Sequence, residues 1–401
     1  MIGLSRMGVF VAAVAFCVGA TARVASAQLT LRVMPEPPGT PPGATVFVAG
    51  DFNGWKPGDT TWALKPAGDG ALAITLPASI RGNIAFKFTL GAWTTVETTA
   101  AGGDVPNRTF TIPPTGATTL TAAIGAWRTA TVGPVVAKVS TARPSVRILS
   151  DSFSIAALGR TRRVWVYLPP GYEAGTKRYP VMYLQDGQNV FDAATSFAGE
   201  WGVDETIDSL SARGVAGAIV VAVANGGTHR MDEYNPWKNA AARFGGGEGE
   251  AYVSFLARDL KPYIDAHYRT RTDARSTTIA GSSMGGLIAL YASLTRPGVF
   301  GNAGVFSCAC WIARDEIMAL VKQTKPSTPH ARFYFVVGSL EGNNSEPEKD
   351  QRAVVRAMNG VGFRTSTDVV ARVAADGKHE EWFWRREFPK AYLWLTGNLM
   401  R

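Results

Sequence analysis

Cysteine and histidine are scarce in this chain of 401 residues, which holds three of the first and four of the second. Cys17 sits in an apolar N-terminal stretch. That leaves Cys308 and Cys310, two positions apart, and paired or free they cannot build the framework that staples small exported domains. His229, His267, His330 and His379 show no zinc-like spacing with one another or with the cysteines, so neither a metal site nor a cofactor is expected. The net charge of +9 comes without a basic run of the nucleic-acid type, which removes nucleic acid as an expected partner. Long hydrophobic runs are also lacking: the apolar stretch at 8–20 falls short of the ~20 residues that a membrane span requires. With 46% hydrophobic and 18% charged residues, the chain is globular rather than disordered.

The first 27 residues have the layout of an export signal. Arg6 supplies a positive start, Val9, Phe10, Val11, Val14 and Phe16 an apolar centre, and Ala25-Ser26-Ala27 the small residues of a cleavage site, with Gln28 as the expected mature N-terminus. A periplasmic or secreted location follows as an expectation, with no integral membrane segment after cleavage. Phe16 precedes Cys17 where a lipid-attachment site needs a small residue, so no lipid anchor is expected.

Residues 28–128 read as a small all-β, immunoglobulin-like sandwich. Short alternating runs such as Ala71-Leu72-Ala73-Ile74-Thr75-Leu76 and Arg108-Thr109-Phe110-Thr111-Ile112 are broken by Gly, Pro, Asn and Asp, and no helical period intervenes. The run Val48-Ala49-Gly50-Asp51-Phe52-Asn53-Gly54-Trp55, with Phe86-Lys87-Phe88-Thr89, Trp93, Pro106-Asn107-Arg108 and Trp127-Arg128, resembles the starch- and glycogen-binding modules. The resemblance implies a polysaccharide ligand, with Trp55 and Trp93 stacking on sugar rings and Lys87 and Asn107 bonding hydroxyls. Trp62 and Trp127 are expected to pack inside instead. The loop at 98–105 is small and polar where starch-binding modules carry a fuller aromatic platform. Residues 129–147 read as a linker, stiffened at Pro134 and Pro144.

From residue 148 to the C-terminus, apolar strands alternate with helical stretches, the pattern of a mostly parallel sheet with helices on both faces. The strongest helical period lies at 249–267, where Phe255, Leu256, Leu260 and Ile264 recur. One strand runs into Gly281-Ser282-Ser283-Met284-Gly285, a G-x-S-x-G turn that a helix-forming run follows. Such a turn projects a serine at strained backbone angles, and side chains at the glycines would collide there. A serine needs a base to take its proton and an acid to hold that base, in the chain order Ser, Asp/Glu, His in this fold. Of the two later histidines, His330 precedes its strand and lies at the wrong end, whereas His379 follows one, so His379 is the expected base. Glu341 is the carboxylate nearest the end of the strand at 333–337 and the expected acid, with Glu346, Asp350 and Asp376 as competitors. The Met284 amide is the expected first donor of an oxyanion hole.

Tyr167-Leu168-Pro169-Pro170-Gly171-Tyr172, Asp186-Gly187-Gln188-Asn189, Arg230 with Glu233-Tyr234, the glycine-rich turn and Gly377-Lys378-His379 together resemble the esterase D-like ("putative esterase") branch of the α/β-hydrolases. The likeness covers residue 148 onward. It implies an α/β-hydrolase fold, a second oxyanion amide from Gln188, and support for Glu341 and His379. The expected activity is carboxylic ester hydrolysis through an acyl-enzyme, on an acetylated or feruloylated carbohydrate. A siderophore trilactone, acyl transfer to a sugar, and a catalytically silent glycan-binding protein are the alternatives. Ser307-Cys308-Ala309-Cys310-Trp311 departs from the Pro-containing loop of many relatives.

Overall fold

The computed structural model describes residues 27–34, 37–103, 105–128, 139–196, 199–238, 245–326, 330–342 and 346–397. The stretch read as an export signal, with Arg6 and Cys17, and the expected linker residues Thr129, Ala130, Gly133 and Pro134 lie outside them. The chain divides into two compact units, residues 1–50 with 57–129, and residues 51–56 with 130–401.

The first unit is all-β. Its strands are β1 (Gln28–Val33), β2 (Phe47–Gly50), β3 (Lys65–Ala67), β4 (Ala71–Thr75), β5 (Gly82–Thr89), β6 (Glu97–Thr98), β7 (Arg108–Ile112), β8 (Ala117–Ala122) and β9 (Ala126–Trp127). They form sheets ordered β3-β4-β1-β8 and β2-β5-β7, with β6 paired to β9. Alternation drives this arrangement: Leu29, Leu31 and Val33 of β1 are buried while Thr30 and Arg32 turn outward. Trp127 is buried as expected, its indole N–H donating to the Thr40 hydroxyl at 2.8 Å. Buried Glu97 is fully used, accepting from the Phe88 amide at 3.0 Å and from Arg108 at 2.7 and 2.9 Å.

The second unit carries the strands β10 (Val146–Ile155), β11 (Arg160–Tyr167), β12 (Val181–Leu184), β13 (Ile219–Val223), β14 (Thr277–Ser282), β15 (Asn302–Phe306), β16 (Arg332–Gly338) and β17 (Val369–Ala374). They make one sheet ordered β10-β11-β13-β12-β14-β15-β16-β17, antiparallel from β10 through β13 and parallel beyond. Its helices are α1 (Val203–Ser211), α2 (Arg230–Glu233), α3 (Gly249–Phe255), α4 (Lys261–His267), α5 (Met284–Thr295), α6 (Arg314–Gln323), α7 (Glu346–Gly360) and α8 (Glu381–Leu395). Successive strand residues point to opposite faces. Val181 and Tyr183 of β12 therefore enter one core with α3 to α7, while Met182 and Leu184 enter the other with α1 and α8. Each such burial stabilises the fold by about 1.5–3 kcal/mol. This is the α/β-hydrolase fold, preceded by a small β domain.

Two local features differ from expectation. The helix at 249–267 contains a π-turn at Leu256–Leu260, with the Lys261 amide reaching back to the Leu256 carbonyl. Pro262 explains it: the proline has no amide to give Arg258 and its ring would strike that carbonyl, so the ladder slips by one residue. The linker expected over 129–147 also ends early. Ser140, Thr141 and the Arg143 amide donate to the carboxylates of Asp192, Glu200 and Asp204 at 2.6–3.1 Å, and β10 begins at Val146. Those partners lie far along the chain, beyond what composition reveals.

Candidate active site

The C-terminal ends of the parallel strands gather the chemistry, as open α/β sheets do. Ser283 follows β14 at φ 56° and ψ −121°, a conformation that a non-glycine residue adopts only under strain. The glycines around it allow this turn: a Cβ on Gly281 would come within 2.7 Å of the Gly285 backbone. Backbone bonds to the end of β15 and the loop after it help hold the strained residue, Ser283 N–H to Phe306 O at 2.9 Å and Ala309 N–H to Ser283 O at 3.0 Å. Ala309 sits between Cys308 and Cys310, which form a disulfide, so a covalent ring closes the loop that braces the serine.

Glu341 and His379 meet across β16 and β17. His379 Nδ1 lies 2.9 Å from Glu341 Oε2, and the carboxylate is 2% exposed while the imidazole opens to solvent. Two glycines bring their turns together: a Cβ on Gly338 would come within 2.2 Å of Gly377, and the Leu340 amide bonds the Gly377 carbonyl at 3.0 Å. The other carboxylate oxygen, Oε1, accepts from the Gly338 amide at 2.7 Å and the Ser307 hydroxyl at 2.6 Å. Ser307 in turn accepts the Trp384 indole N–H at 2.8 Å, and the Trp384 ring stands edge-on to His379 at 5.1 Å. Three hydrogen bonds, two on Oε1 and one on Oε2, thus fix the Glu341 carboxylate. Neither Ser307 nor Trp384 was expected. The signals were present, a serine directly after a strand and a tryptophan five residues beyond the histidine, but their convergence depends on the fold. The competing acids face elsewhere: Asp350 pairs with Arg314, Asp376 with Arg386, and Glu346 opens α7. His330 pairs with Asp368 ahead of β17. Among the described residues the Ser283 Oγ to His379 hydrogen bond is the one link not formed, a contact that commonly tightens only with substrate.

The turn after β12, residues Gly187–Asn189, supplies Gln188. Its amide and that of Met284, at the first position of α5, have no hydrogen-bond partner among the described residues. Asp186 shapes the turn from a left-handed conformation, φ 54°, and its buried carboxylate takes a two-pronged bond from Arg230 at 2.6 and 2.9 Å and another from Asn225 at 2.7 Å. The Asn225 amide returns a bond to Gln188 Oε1 at 3.2 Å. Beside the turn lies Glu381, buried, with its Oε1 accepting from Asn189 Nδ2 at 3.2 Å. Burial pushes its carboxyl up to about 7. No three His, Cys, Asp or Glu side chains among the described residues gather as a metal site would require.

The residues expected to meet a glycan are dispersed in character. Trp93 is 39% exposed on a short turn, and Asn107 is exposed. Trp55 is half-buried at φ 58° in the segment 51–56. Lys87 is held by the protein itself, its amine donating to the Val105 carbonyl, and burial lowers its pKa.

Among known proteins, an α-amylase from Niallia circulans is 39% identical over 101 residues, 25% of this chain and 8% of that protein. An endo-1,4-β-xylanase/feruloyl esterase from Xylanibacter ruminicola is 29% identical over 239 residues, 59% of this chain and 29% of that one. The chain thus spans well under half the length of either relative. The enterobactin esterase from Shigella flexneri, solved in the presence of enterobactin, superposes with a TM-score of 0.51 at 19% identity over 89% of each chain, a likeness of fold. The strand-end serine and the Glu341–His379 pair both fall inside residues 155–395, the stretch that matches the "Putative esterase" family model, and the chain belongs to that esterase family.

Proposed function

We propose that this ester hydrolase works through Ser283, His379 and Glu341, and that its substrate is an acyl ester of a carbohydrate. The observation that carries the proposal is the strained Ser283 turn on β14 beside a buried carboxylate locked onto His379. His379 Nε2 takes the Ser283 proton as Oγ attacks the ester carbonyl. The Met284 and Gln188 amides receive the developing oxyanion. His379 then returns the proton to the leaving alcohol, and the same base activates water to release the acyl group. Glu341 keeps Nδ1 protonated and offsets the imidazolium charge.

The carbohydrate assignment draws on the xylanase/feruloyl esterase and α-amylase relatives and on the sugar-module motif around Trp55 and Trp93. A linked module raises the local concentration of polymer near the triad. One observation favours a siderophore trilactone instead: the likeness to the enterobactin esterase extends over 89% of this chain, beyond the hydrolase unit. Export is proposed from the first 27 residues, and N-terminal sequencing of protein recovered outside the cytoplasm should begin at Gln28.

The test is Ser283→Ala with a p-nitrophenyl ester, a feruloylated and an acetylated xylan, and a catecholate trilactone. Loss of all hydrolysis and of fluorophosphonate labelling, with folding retained, is the expected result. Residual turnover in that variant refutes the nucleophile. Preference of the parent enzyme for the trilactone refutes the carbohydrate assignment.

A further inference from the structure

A buried carboxyl that the mechanism does not use stands two residues beyond the catalytic histidine. Glu381 opens α8, is 7% exposed, and bonds Asn189, the residue that follows the oxyanion donor Gln188. Asn189 is itself fixed at both ends, its amide on Asp186 O at 2.9 Å and its carbonyl on Trp201 N at 2.8 Å. One side chain therefore joins the turn that carries the oxyanion amide to the turn that carries the base. We propose that Glu381 is a positioning residue for the reaction, tying the Gln188 turn to the His379 turn and, when ionised, supporting the imidazolium that forms on His379. This rests on the triad proposed above.

The charged and titratable groups that act on Glu381 are His379 from its own turn, Asp186 from the oxyanion turn and Arg230 from α2. Asp186 is already matched by Arg230 and Asn225, so the developing charge on His379 is the cation that Glu381 is placed to meet. Burial raises the Glu381 carboxyl to about 7, and His379 acts on it in the opposite direction. Coupling between two sites is reciprocal, so a carboxylate that an imidazolium stabilises must stabilise the imidazolium equally. The contribution is then present at alkaline pH and absent where Glu381 is itself protonated.

Glu381→Gln keeps the volume and an acceptor for Asn189 but cannot ionise. Measured with a p-nitrophenyl ester between pH 5.5 and 9, kcat of the variant should fall ~3–10-fold below the parent at pH 9, with KM within about twofold. The ratio should close toward one at pH 5.5. A purely structural role gives a ratio that does not change with pH, and that result overturns the proposal. Glu381→Ala, which also removes the acceptor, should lower kcat ~10-fold or more at every pH because the oxyanion amide is no longer held. If Glu381→Ala does not fold, the pH dependence of the Glu381→Gln ratio still decides. An enzyme inactivated by Ser283→Ala but showing a pH-independent Glu381→Gln ratio refutes the Glu381 role alone and leaves the triad standing.

Discussion

Replacing Ser307 by Ala removes one hydroxyl that serves two buried partners. Alanine keeps the Cβ, so the left-handed backbone at φ 44° is as strained as before and the comparison isolates the oxygen. The lost bond to Glu341 Oε1, 2.6 Å long, is of the charge-assisted kind, at about 1.5–3 kcal/mol. The Trp384 indole N–H is left without an acceptor in a buried site, a further ~1–3 kcal/mol before relaxation. A net destabilisation of ~2–4 kcal/mol is expected, seen as a fall in the urea midpoint with an unchanged slope. Catalysis should suffer separately. Glu341 still holds the Gly338 amide and His379 Nδ1, so the loss stays well under the ~10⁴-fold that a disabled triad acid costs. A drop of ~10–100-fold in kcat, with KM nearly constant, corresponds to ~1.4–2.7 kcal/mol of transition-state stabilisation. Ser307→Gly relieves the backbone strain without restoring the hydroxyl, and should recover stability but not rate. If Ser307→Ala is destabilised yet turns over a p-nitrophenyl ester within about twofold of the parent, the hydroxyl does not position the acid and the reasoning fails.

Arg230→Met leaves the Asp186 carboxylate buried without its two-pronged partner, which should cost about 3–5 kcal/mol in chemical denaturation, and a smaller loss would show that Asn225 alone suffices. Arg230→Lys keeps the charge but loses the fork geometry, so kcat should fall more than stability. For Glu381 the folded-state value of about 7 stands above its ordinary 4.5, so its contribution to stability is complete below pH 4.5 and is lost as pH rises through 7. That loss is worth up to ~3 kcal/mol, and Glu381→Gln should gain on the parent between pH 5 and pH 9 in urea titrations. Trp93→Ala should weaken retention on insoluble starch or glycogen without changing turnover of a soluble p-nitrophenyl ester; unchanged retention removes Trp93 from any sugar platform.

Much of the site is legible because its residues are tied to local geometry. Gly281-Ser282-Ser283-Met284-Gly285 announces its own strained turn, since only that spacing of small residues tolerates it. His379 and Glu341 are singled out by strand-end position together with the chain order of serine, acid and histidine, with Glu346, Asp350 and Asp376 left as competing acids. The helical period at 249–267 is equally plain, although the π-turn required attention to Pro262. The dispositions of Ser307, Trp384, Asp186, Arg230 and Glu381 were not legible, because each acts through a partner tens to hundreds of positions away.

By itself the sequence determined that the chain carries an all-β region followed by an alternating α/β region, and which serine, carboxylate and histidine stand at the strand ends. Periodicity and turn chemistry are local, and local physics is readable along a chain. Tertiary structure alone decided that Cys308 and Cys310 are joined, that residues 139–147 fold with the hydrolase unit, that Lys87 is committed to Val105, and that buried Glu381 bonds Asn189 in the turn after β12. The last three turn on which polar groups the fold brings within reach of one another, and that is settled by packing across the whole fold rather than by neighbours in sequence.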